Sequence, residues 1–377
     1  MKKQLIAIGQ DDGHDTVKTC TGYDAAAGKY RYGYHKSKAS AGIHQVMSVG
    51  SDHTSAYETE GSQYTVANGQ ALIRTMDTRI VNYPVSDLNR VLVNHALSDV
   101  GLGGQDVYLV TGLPVDQYYK DSAPNTELID RKTDSLSKPV SRIGTGAPMA
   151  KIVRQKVVSE AIAAFYDALL NHDGTLNANI QQIIARRPVA VIDLGGKTLD
   201  IAVVIENVRG VYGERSGTQD TGVLALITKV TARIKSQFNL SNDPPPIYVE
   251  EALRTKKYEF YGEDHDVSSI VEKACVEYLA EVKNFFVSKV GDGSDLGAVI
   301  FVGGGAALIR SALGDEAFRQ VFQGKCLIAE DPEFANARGM WKFANFIVRA
   351  EDRVIEVPDA VAIQEVPAAK SKKLAAA

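Results

Sequence analysis

The residues most suggestive of chemistry occur in two copies of one short pattern. The segments DDGHDTVK at residues 11–18 and DLGGKTLD at residues 193–200 both read Asp, any, Gly, any, any, Thr, apolar, charged. Each follows one short apolar run and precedes another, which predicts a tight turn between two buried strands. Glycine in such a turn lets the backbone approach an anion without a Cβ in the way. One copy alone would indicate an ordinary hairpin, but the pair predicts two phosphate-binding turns in two duplicated lobes.

A triphosphate held between two such turns would accept hydrogen bonds from backbone N–H groups and threonine hydroxyls on both sides. The expected nucleotide contacts are Gly13, His14, Asp15, Thr16 and Lys18 in the first turn and Gly195, Gly196, Lys197 and Thr198 in the second. Asp11 and Asp193 have the wrong charge to touch phosphate. They suit a hydrated magnesium ion, which keeps several waters and bridges carboxylates to phosphate oxygens. We therefore expect both aspartates to hold Mg²⁺ through water and to serve catalysis.

A third glycine turn follows a later apolar run, in the segment VGGGA at residues 302–306. A lone glycine triplet often marks only the bend from a strand to a helix. As the third such turn in one chain, Gly303, Gly304 and Gly305 are candidates to hold a base or ribose beside a helix N-terminus. Gly222 and Lys229, at the start of another predicted helix, are further candidate nucleotide contacts, although a solvated helix charge is the alternative for Lys229.

These turns need strands and helices to position them, and the chain predicts an α/β protein. Strands are expected at residues 3–9, 17–23 and 106–115, and a helix is expected from the N-cap Ser86. Residues 30–75 read as a small strand-rich part, and residues 120–148 as a polar inserted loop or hairpin. Two strongly amphipathic helices follow the second turn. Strands that alternate with helices are typical of α/β folds.

The chain is too long for one ordinary core, so we expect two lobes. Lobe I is assigned to residues 1–188, with an inserted subdomain at about 30–85, and is completed by residues 330–350. Lobe II is assigned to residues 189–329, and residues 351–377 are expected to form a mobile tail.

Composition excludes several classes of function. Of the 377 residues, 45% are apolar and 23% are charged, which is ordinary for a soluble globular protein. The net charge of −4 gives no electrostatic reason to bind bare DNA tightly. The three cysteines form neither a disulfide framework nor a zinc pattern. With no signal-peptide pattern and no apolar run of about 20 residues, we expect a cytoplasmic protein that does not enter a membrane.

The order of the three glycine turns resembles the superfamily of actin, sugar kinases and chaperone ATPases. Within it, VIDLGGKTLDIAVV and EDPEFANARGMWKF resemble the ParM/StbA group of plasmid-segregation proteins, over about residues 3–348. The resemblance implies an actin-like ATPase fold of two lobes around a nucleotide cleft that takes ATP and Mg²⁺. It also implies a head-to-tail filament of one chain and a DNA-binding adaptor. The residues do not distinguish ATP from GTP.

The resemblance also implies a catalytic role for Glu160, at the start of the run EAIAAFY. Phosphoryl transfer depends on placement and charge neutralisation, so a polar group is needed to orient the attacking water. The alternative for Glu160 is an acid that only favours the helix N-terminus. His14 departs from the family pattern, which has Ser or Thr there, although a neutral imidazole can donate one hydrogen bond.

Three functions share such a cleft. A filament-forming ATPase needs only nucleotide, magnesium, water and self-complementary ends. A sugar or acid kinase, the alternative, needs a further carboxylate base, and none stands out in the sequence. A chaperone needs a substrate domain, and only about 30 residues follow the closing helix. The filament ATPase is therefore the preferred interpretation.

Overall fold

The computed structural model describes residues 5–44, 54–67, 75–121, 123–144, 146–322 and 324–347. The tail expected at residues 351–377 lies outside these ranges. The strands are β1 Ile6–Asp12, β2 Thr16–Asp24, β3 Lys29–Lys36, β4 Ala39–Ala41, β5 Thr54–Thr59, β6 Ser62–Ala67, β7 Asp106–Leu113, β8 Tyr119–Lys120, β9 Ala123–Pro124, β10 Ser141–Arg142, β11 Lys151–Ser159, β12 Val189–Leu194, β13 Leu199–Val204, β14 Gly217–Gln219, β15 Lys257–Phe260, β16 Glu263–Asp266, β17 Ala298–Val302 and β18 Cys326–Ile328.

The helices alternate with these strands along the chain. They are α1 Asp87–Asp99, α2 Val115–Tyr118, α3 Thr126–Ser137, α4 Glu160–Leu169, α5 Ala178–Ile184, α6 Val223–Gln237, α7 Pro246–Thr255, α8 Ser268–Val290, α9 Gly304–Leu313, α10 Glu316–Val321 and α11 Ala335–Lys342, followed by a π-helical turn at Phe343–Ile347. Ser86 caps α1 as predicted, because its side chain accepts a hydrogen bond from the Asn89 N–H. No helix in the described ranges is long and apolar enough to cross a bilayer.

Two five-stranded sheets have the same topology. Their strand orders are β3-β2-β1-β7-β11 and β14-β13-β12-β17-β18. In each sheet the first three strands are antiparallel and the remaining two are added in parallel. The duplication inferred from the paired turns is therefore present in the strand order as well.

Helix α4 lies between the two sheets. Its Ala161, Ala164 and Phe165 pack on one face of the second sheet, against β12 and β17. Its Ala163 packs with strands of the first sheet and with Met340 of α11. The second sheet is covered on its other face by α6, α8 and α9. Both faces are thus buried, which explains the nearly continuous apolar runs in β12 and β17.

Helix α11 returns to the first sheet through glycine contacts. A Cβ added at Gly9 would lie 2.0 Å from the Ala337 carbonyl oxygen, and one at Gly339 would lie 1.8 Å from the Ala163 carbonyl oxygen. The backbones of β1, α4 and α11 can approach this closely only because no side chain intervenes. The last helix therefore packs on the first half of the chain, although it follows the second half in sequence.

Two sequence expectations need correction. Strand β3, expected within the small subdomain, pairs with β2 in the first large sheet. The small sheet instead has the order β10-β5-β6-β4. Residues 120–148, expected to be a loop or hairpin, contain helix α3, which is capped by Asn125. The buried positions of α3 are Lys132, Ser135 and Leu136, so two polar residues occupy core-facing positions where apolar residues are expected.

Candidate functional site

A cavity lies between the two glycine turns and has an empty volume of about 1110 Å³, part of it open to solvent. Most of the residues predicted from sequence line it: Asp11, Gly13, His14, Asp15, Thr16, Lys18, Glu160, Asp193, Gly195, Gly196, Lys197, Thr198, Gly303 and Gly304. They come from both sheets and from the N-termini of α4 and α9. The tertiary structure therefore brings the three glycine turns and the proposed catalytic acid to one place.

The two turns are equivalent in strand register. Asp11 pairs with Lys18 across β1 and β2, and Asp193 pairs with Asp200 across β12 and β13. They also meet each other, since a Cβ added at Gly196 would lie 3.1 Å from the Asp15 Cβ. An anion in the cavity would thus meet the backbone of both turns.

The acidic end of the cavity holds a carboxylate oxygen with no hydrogen-bond partner. Asp193 is only 3% exposed, and its Oδ2 accepts a hydrogen bond from Asn336 Nδ2 at 2.7 Å. Its Oδ1 is buried, and no residue in the described ranges forms a hydrogen bond with it. Burial raises the pKa of Asp193 to about 7, and the nearby Asp200 and Asp11 carboxylates add to the rise. A cation beside this oxygen would stabilise the ionised carboxylate.

The other turn aspartate is already partly neutralised. Asp11 Oδ2 lies 3.3 Å from Lys18 Nζ. Within the described ranges no group of three or more ligand side chains converges on one point. Such an arrangement fits a hydrated magnesium ion, which keeps several waters and needs only one or two carboxylates.

Glu160 is the first residue of α4, directly after β11. A Cβ added at Gly112 would lie 2.4 Å from Glu160 Cγ, so glycine at that position makes room for the side chain. Burial raises the pKa of Glu160 well above its usual value, and Asp11, Asp200 and Asp193 contribute. Glu160 thus combines a helix N-terminal position with a place in the cavity wall.

The ring N–H of His14 forms a hydrogen bond within the protein. Its Nδ1 contacts the Thr78 carbonyl, so Nδ1 must carry the proton, and the Thr78 hydroxyl in turn donates to the His14 carbonyl. Burial lowers the pKa of His14, which favours the neutral ring. The hydrogen bond to phosphate expected from the imidazole is therefore not available in this tautomer, since Nε2 is then an acceptor.

Three predicted contacts do not line the cavity. Lys229 forms an ion pair with Glu281 of α8 at 2.9 Å, as the alternative interpretation anticipated. Gly222 supports the second turn from behind, because a Cβ there would lie 2.4 Å from the Gly196 carbonyl oxygen. Gly305 packs on Leu194, whose Cβ would be 2.7 Å away from an added Cβ.

Several cavity residues were missed by the sequence analysis. They include Asp12, Lys132, Glu250, Arg254, Phe334 and Asn336. Asn336 lies in the segment EDPEFANARGMWKF that carried the family resemblance, so a signal for it existed. Lys132 had none, because it lies in the polar stretch read as a loop.

Comparisons with known proteins agree with this architecture. Residues 6–171 match the N-terminal family of the plasmid segregation protein ParM, and residues 191–315 match the C-terminal family of the archaeal MreB-like actin homologue. No curated protein matches the chain significantly.

Solved structures of similar fold cover nearly the whole chain. The actin-like protein Alp7A has a TM-score of 0.71 at 15% identity, over 94% of this chain and 99% of that chain. A 15-stranded ParM filament from Clostridium botulinum has a TM-score of 0.69 at 17% identity, over 90% and 99%. An archaeal actin homologue in complex with ADP has a TM-score of 0.67 at 19% identity, over 90% and 99%. At these identities the likeness establishes an actin-like fold.

Proposed function

We propose that this chain, whose N-terminal part matches the ParM family and whose C-terminal part matches the MreB-like actin homologues, is an ATP-dependent, filament-forming protein of the ParM/StbA group that segregates plasmid DNA through a separate adaptor. The observation that carries the proposal is the cavity between two register-matched turns, with Glu160 and an unpartnered Asp193 oxygen in its wall. Both halves of the chain contribute to this one cavity, so a bound nucleotide would connect them.

The cavity suits a nucleoside triphosphate. Both turns offer glycine backbone to phosphates, and the Gly304 Cα faces open space, with no atom within 4 Å of an added Cβ. That opening at the start of α9 leaves room for a ribose or base. ATP is the proposed nucleotide, since a structure of similar fold is a complex with ADP.

Hydrolysis requires an oriented water and neutralised charge. Glu160 would accept a hydrogen bond from the attacking water, and Lys18 would provide positive charge to the phosphates. Asp11 and Asp193 would hold Mg²⁺ through water, and a bound magnesium ion would neutralise phosphate oxygens. Two other buried carboxylates beside the cavity are engaged: Asp12 binds Lys132, and Asp200 accepts from the Val115 N–H at 3.1 Å. A sugar or acid kinase, which needs a further carboxylate base aimed at a substrate hydroxyl, is the weaker proposal.

The proposals of filament formation and of a DNA-binding adaptor are drawn from the resemblance to the ParM/StbA family. One of the similar structures is a ParM filament. Head-to-tail association of one chain generates open filaments where the rotation between neighbours does not close a ring. Because the chain is acidic, with a net charge of −4, we assign contact with DNA to an adaptor.

The test is light scattering of the purified protein after addition of ATP and Mg²⁺, with electron microscopy of the product and a parallel assay of phosphate release. We expect scattering to rise with ATP and Mg²⁺, and to stay flat with ATP plus a chelator. Phosphate release without assembly would contradict the filament part of the proposal. Transfer of phosphate to a sugar would favour the kinase alternative.

A further inference from the structure

A buried ion pair lies beside the cavity and has no role in the function proposed above. Lys132 of α3 is 1% exposed, and its Nζ lies 2.8 Å from Asp12 Oδ2. The same ammonium donates to the Gly112 carbonyl oxygen at 2.6 Å. Asp12 also accepts a hydrogen bond from Asn89 Nδ2 at 2.7 Å. Both charges of the pair are therefore held in fixed positions.

Gly112 connects this pair to Glu160. Its carbonyl oxygen binds Lys132, while its Cα is so close to Glu160 that an added Cβ would lie 2.4 Å from Cγ and 3.1 Å from Oε1. Gly112 and Leu113 end strand β7, and Leu113 pairs with Ser159, the residue before Glu160. Lys132 and Glu160 both line the cavity. The ammonium thus anchors the strand end against which the Glu160 side chain rests.

The charges around Glu160 give this ammonium a second effect. Carboxylates face Glu160 from β1 (Asp11), β12 (Asp193) and β13 (Asp200), and their charges disfavour an ionised Glu160. Lys132 acts in the opposite direction. The other cations in the cavity wall are Lys18, which is paired with Asp11, Lys197 on the second turn and Arg254 on α7. Among the cavity-lining residues described, Lys132 is the cation that shares a contact residue with Glu160.

A fold alone gives little reason to keep such a pair, because replacing a buried ion pair with neutral groups of similar volume is often harmless to stability. We propose that Lys132 is a positioning residue for hydrolysis: it anchors the Gly112 strand end against which the Glu160 side chain rests, and so holds the Glu160 carboxylate where it can orient the attacking water. This inference rests on the proposed ATPase function. It assigns a mechanistic role to α3, in the stretch at residues 120–148 that was predicted from sequence to be an inserted loop or hairpin.

The experiment separates this role from a purely structural one. Lys132→Met alone leaves a buried Asp12 charge unpaired, so it should lower both stability and activity. Asp12→Asn keeps an acceptor for Asn89, so the double variant Lys132→Met/Asp12→Asn removes both charges without leaving one unpaired. Asp12→Asn alone also unpairs a buried charge but keeps the Lys132 bond to the Gly112 carbonyl, so it should keep a higher kcat than the double variant although its melting temperature falls. For each protein the melting temperature, the Kd for ATP with Mg²⁺ and the kcat of phosphate release are measured.

We expect the double variant to recover most of the wild-type melting temperature and to bind ATP with a Kd within a few-fold of wild type. Its kcat should stay lower by about 10- to 100-fold, the scale expected when a catalytic group is slightly misplaced. Wild-type kcat in a stable double variant would overturn the inference, and so would a Kd that weakens by the same factor as kcat. An inactive wild-type protein would overturn the proposed function itself, together with this role.

Discussion

The Asn336 side chain donates a hydrogen bond to Asp193 Oδ2 at 2.7 Å, which joins the last helix to the second glycine turn across 143 residues of sequence. The bond occupies one carboxylate oxygen and leaves the other, Oδ1, buried without a partner beside Gly303. The orientation of Asp193 is therefore set by a residue that packs on the first half of the chain. The position of a cation bound at Oδ1 would therefore depend on how the two halves of the chain are placed relative to each other.

The first prediction concerns that aspartate. Asp193→Ala should abolish nucleotide hydrolysis, because one of the two carboxylates proposed to hold the magnesium waters is lost. Phosphate release with Mg²⁺ is the measurement. The control is Asp243→Ala, which removes an exposed carboxylate that pairs with Lys235 and does not line the cavity. Full magnesium-dependent turnover by Asp193→Ala would contradict the cleft mechanism.

The second prediction distinguishes the two interpretations of Glu160. Glu160→Ala should bind ATP nearly normally and hydrolyse it far more slowly, because orientation of water acts on the transition state more than on ground-state binding. Filaments should then form and persist longer. Glu127→Ala, at the equivalent first turn of α3, is the control for a helix N-terminal acid. Its effect should be limited to about 0.3–1 kcal/mol of stability. If both substitutions had equally small effects on hydrolysis and stability, Glu160 would have no role beyond that of an acid at a helix N-terminus.

The third prediction concerns the close contact between α11 and α4. Gly339→Ala should destabilise the protein by about 1–3 kcal/mol, the usual cost of overpacking a core. An added Cβ would lie 1.8 Å from the backbone oxygen of Ala163, which cannot move without shifting α4. Ser288→Ala, at an exposed position of α8, is the control. Denaturant unfolding monitored by circular dichroism measures the difference, and equal midpoints would show that the helices separate at little cost.

The fourth prediction is a pH dependence of stability. Burial lowers the pKa of His95 to about 3, with His35 and Arg142 adding to the effect. The Tyr57 hydroxyl lies 2.7 Å from His95 Nδ1. The folded state holds a neutral ring, so between about pH 6.5 and pH 3 the unfolded chain binds more protons than the folded one. Stability from this residue is therefore complete above pH 6.5 and is lost as the pH falls, by up to about 1.4 kcal/mol per pH unit.

Thermal unfolding between pH 7 and pH 5 measures this loss. His95→Gln should lose less stability over that range than the wild type, even if it is less stable at pH 7. His172→Gln, which removes an exposed imidazole, should follow the wild-type slope. Identical slopes for wild type and His95→Gln would contradict the assignment.

The fifth prediction is that the purified protein does not bind DNA tightly on its own. The chain has 46 acidic residues against 42 Lys and Arg, so a strong phosphate-binding surface is not expected. An electrophoretic shift assay near physiological salt, with and without ATP, measures this. Binding in the sub-micromolar range would be tighter than non-specific binding at about 10⁻⁴ to 10⁻⁶ M, and would overturn the adaptor model.

The sequence by itself determined the features that depend on short-range pattern. The turns at 11–18 and 193–200 are local, since each needs only two adjacent strands and a glycine between them. The cap at Ser86 is also local, because its partner is three residues away. The duplication was readable because both copies keep one pattern of residue types.

Tertiary structure decided what depends on distant partners. The burial of Lys132 could not be predicted because a lysine is normally exposed on a helix and its partner Asp12 lies 120 residues away. Strand β3 pairs with the free edge of β2 in the large sheet. The residues of β3 do not specify which sheet edge the strand will join, so this pairing could not be predicted from its sequence. The contact of Lys132 with Gly112 exists only once α3 has packed beside the end of β7, and that of Asn336 with Asp193 only once the last helix has packed beside the second sheet. The residue types proposed to bind phosphate are thus set by local sequence, whereas the side chains that position Asp193 and Glu160 depend on long-range packing.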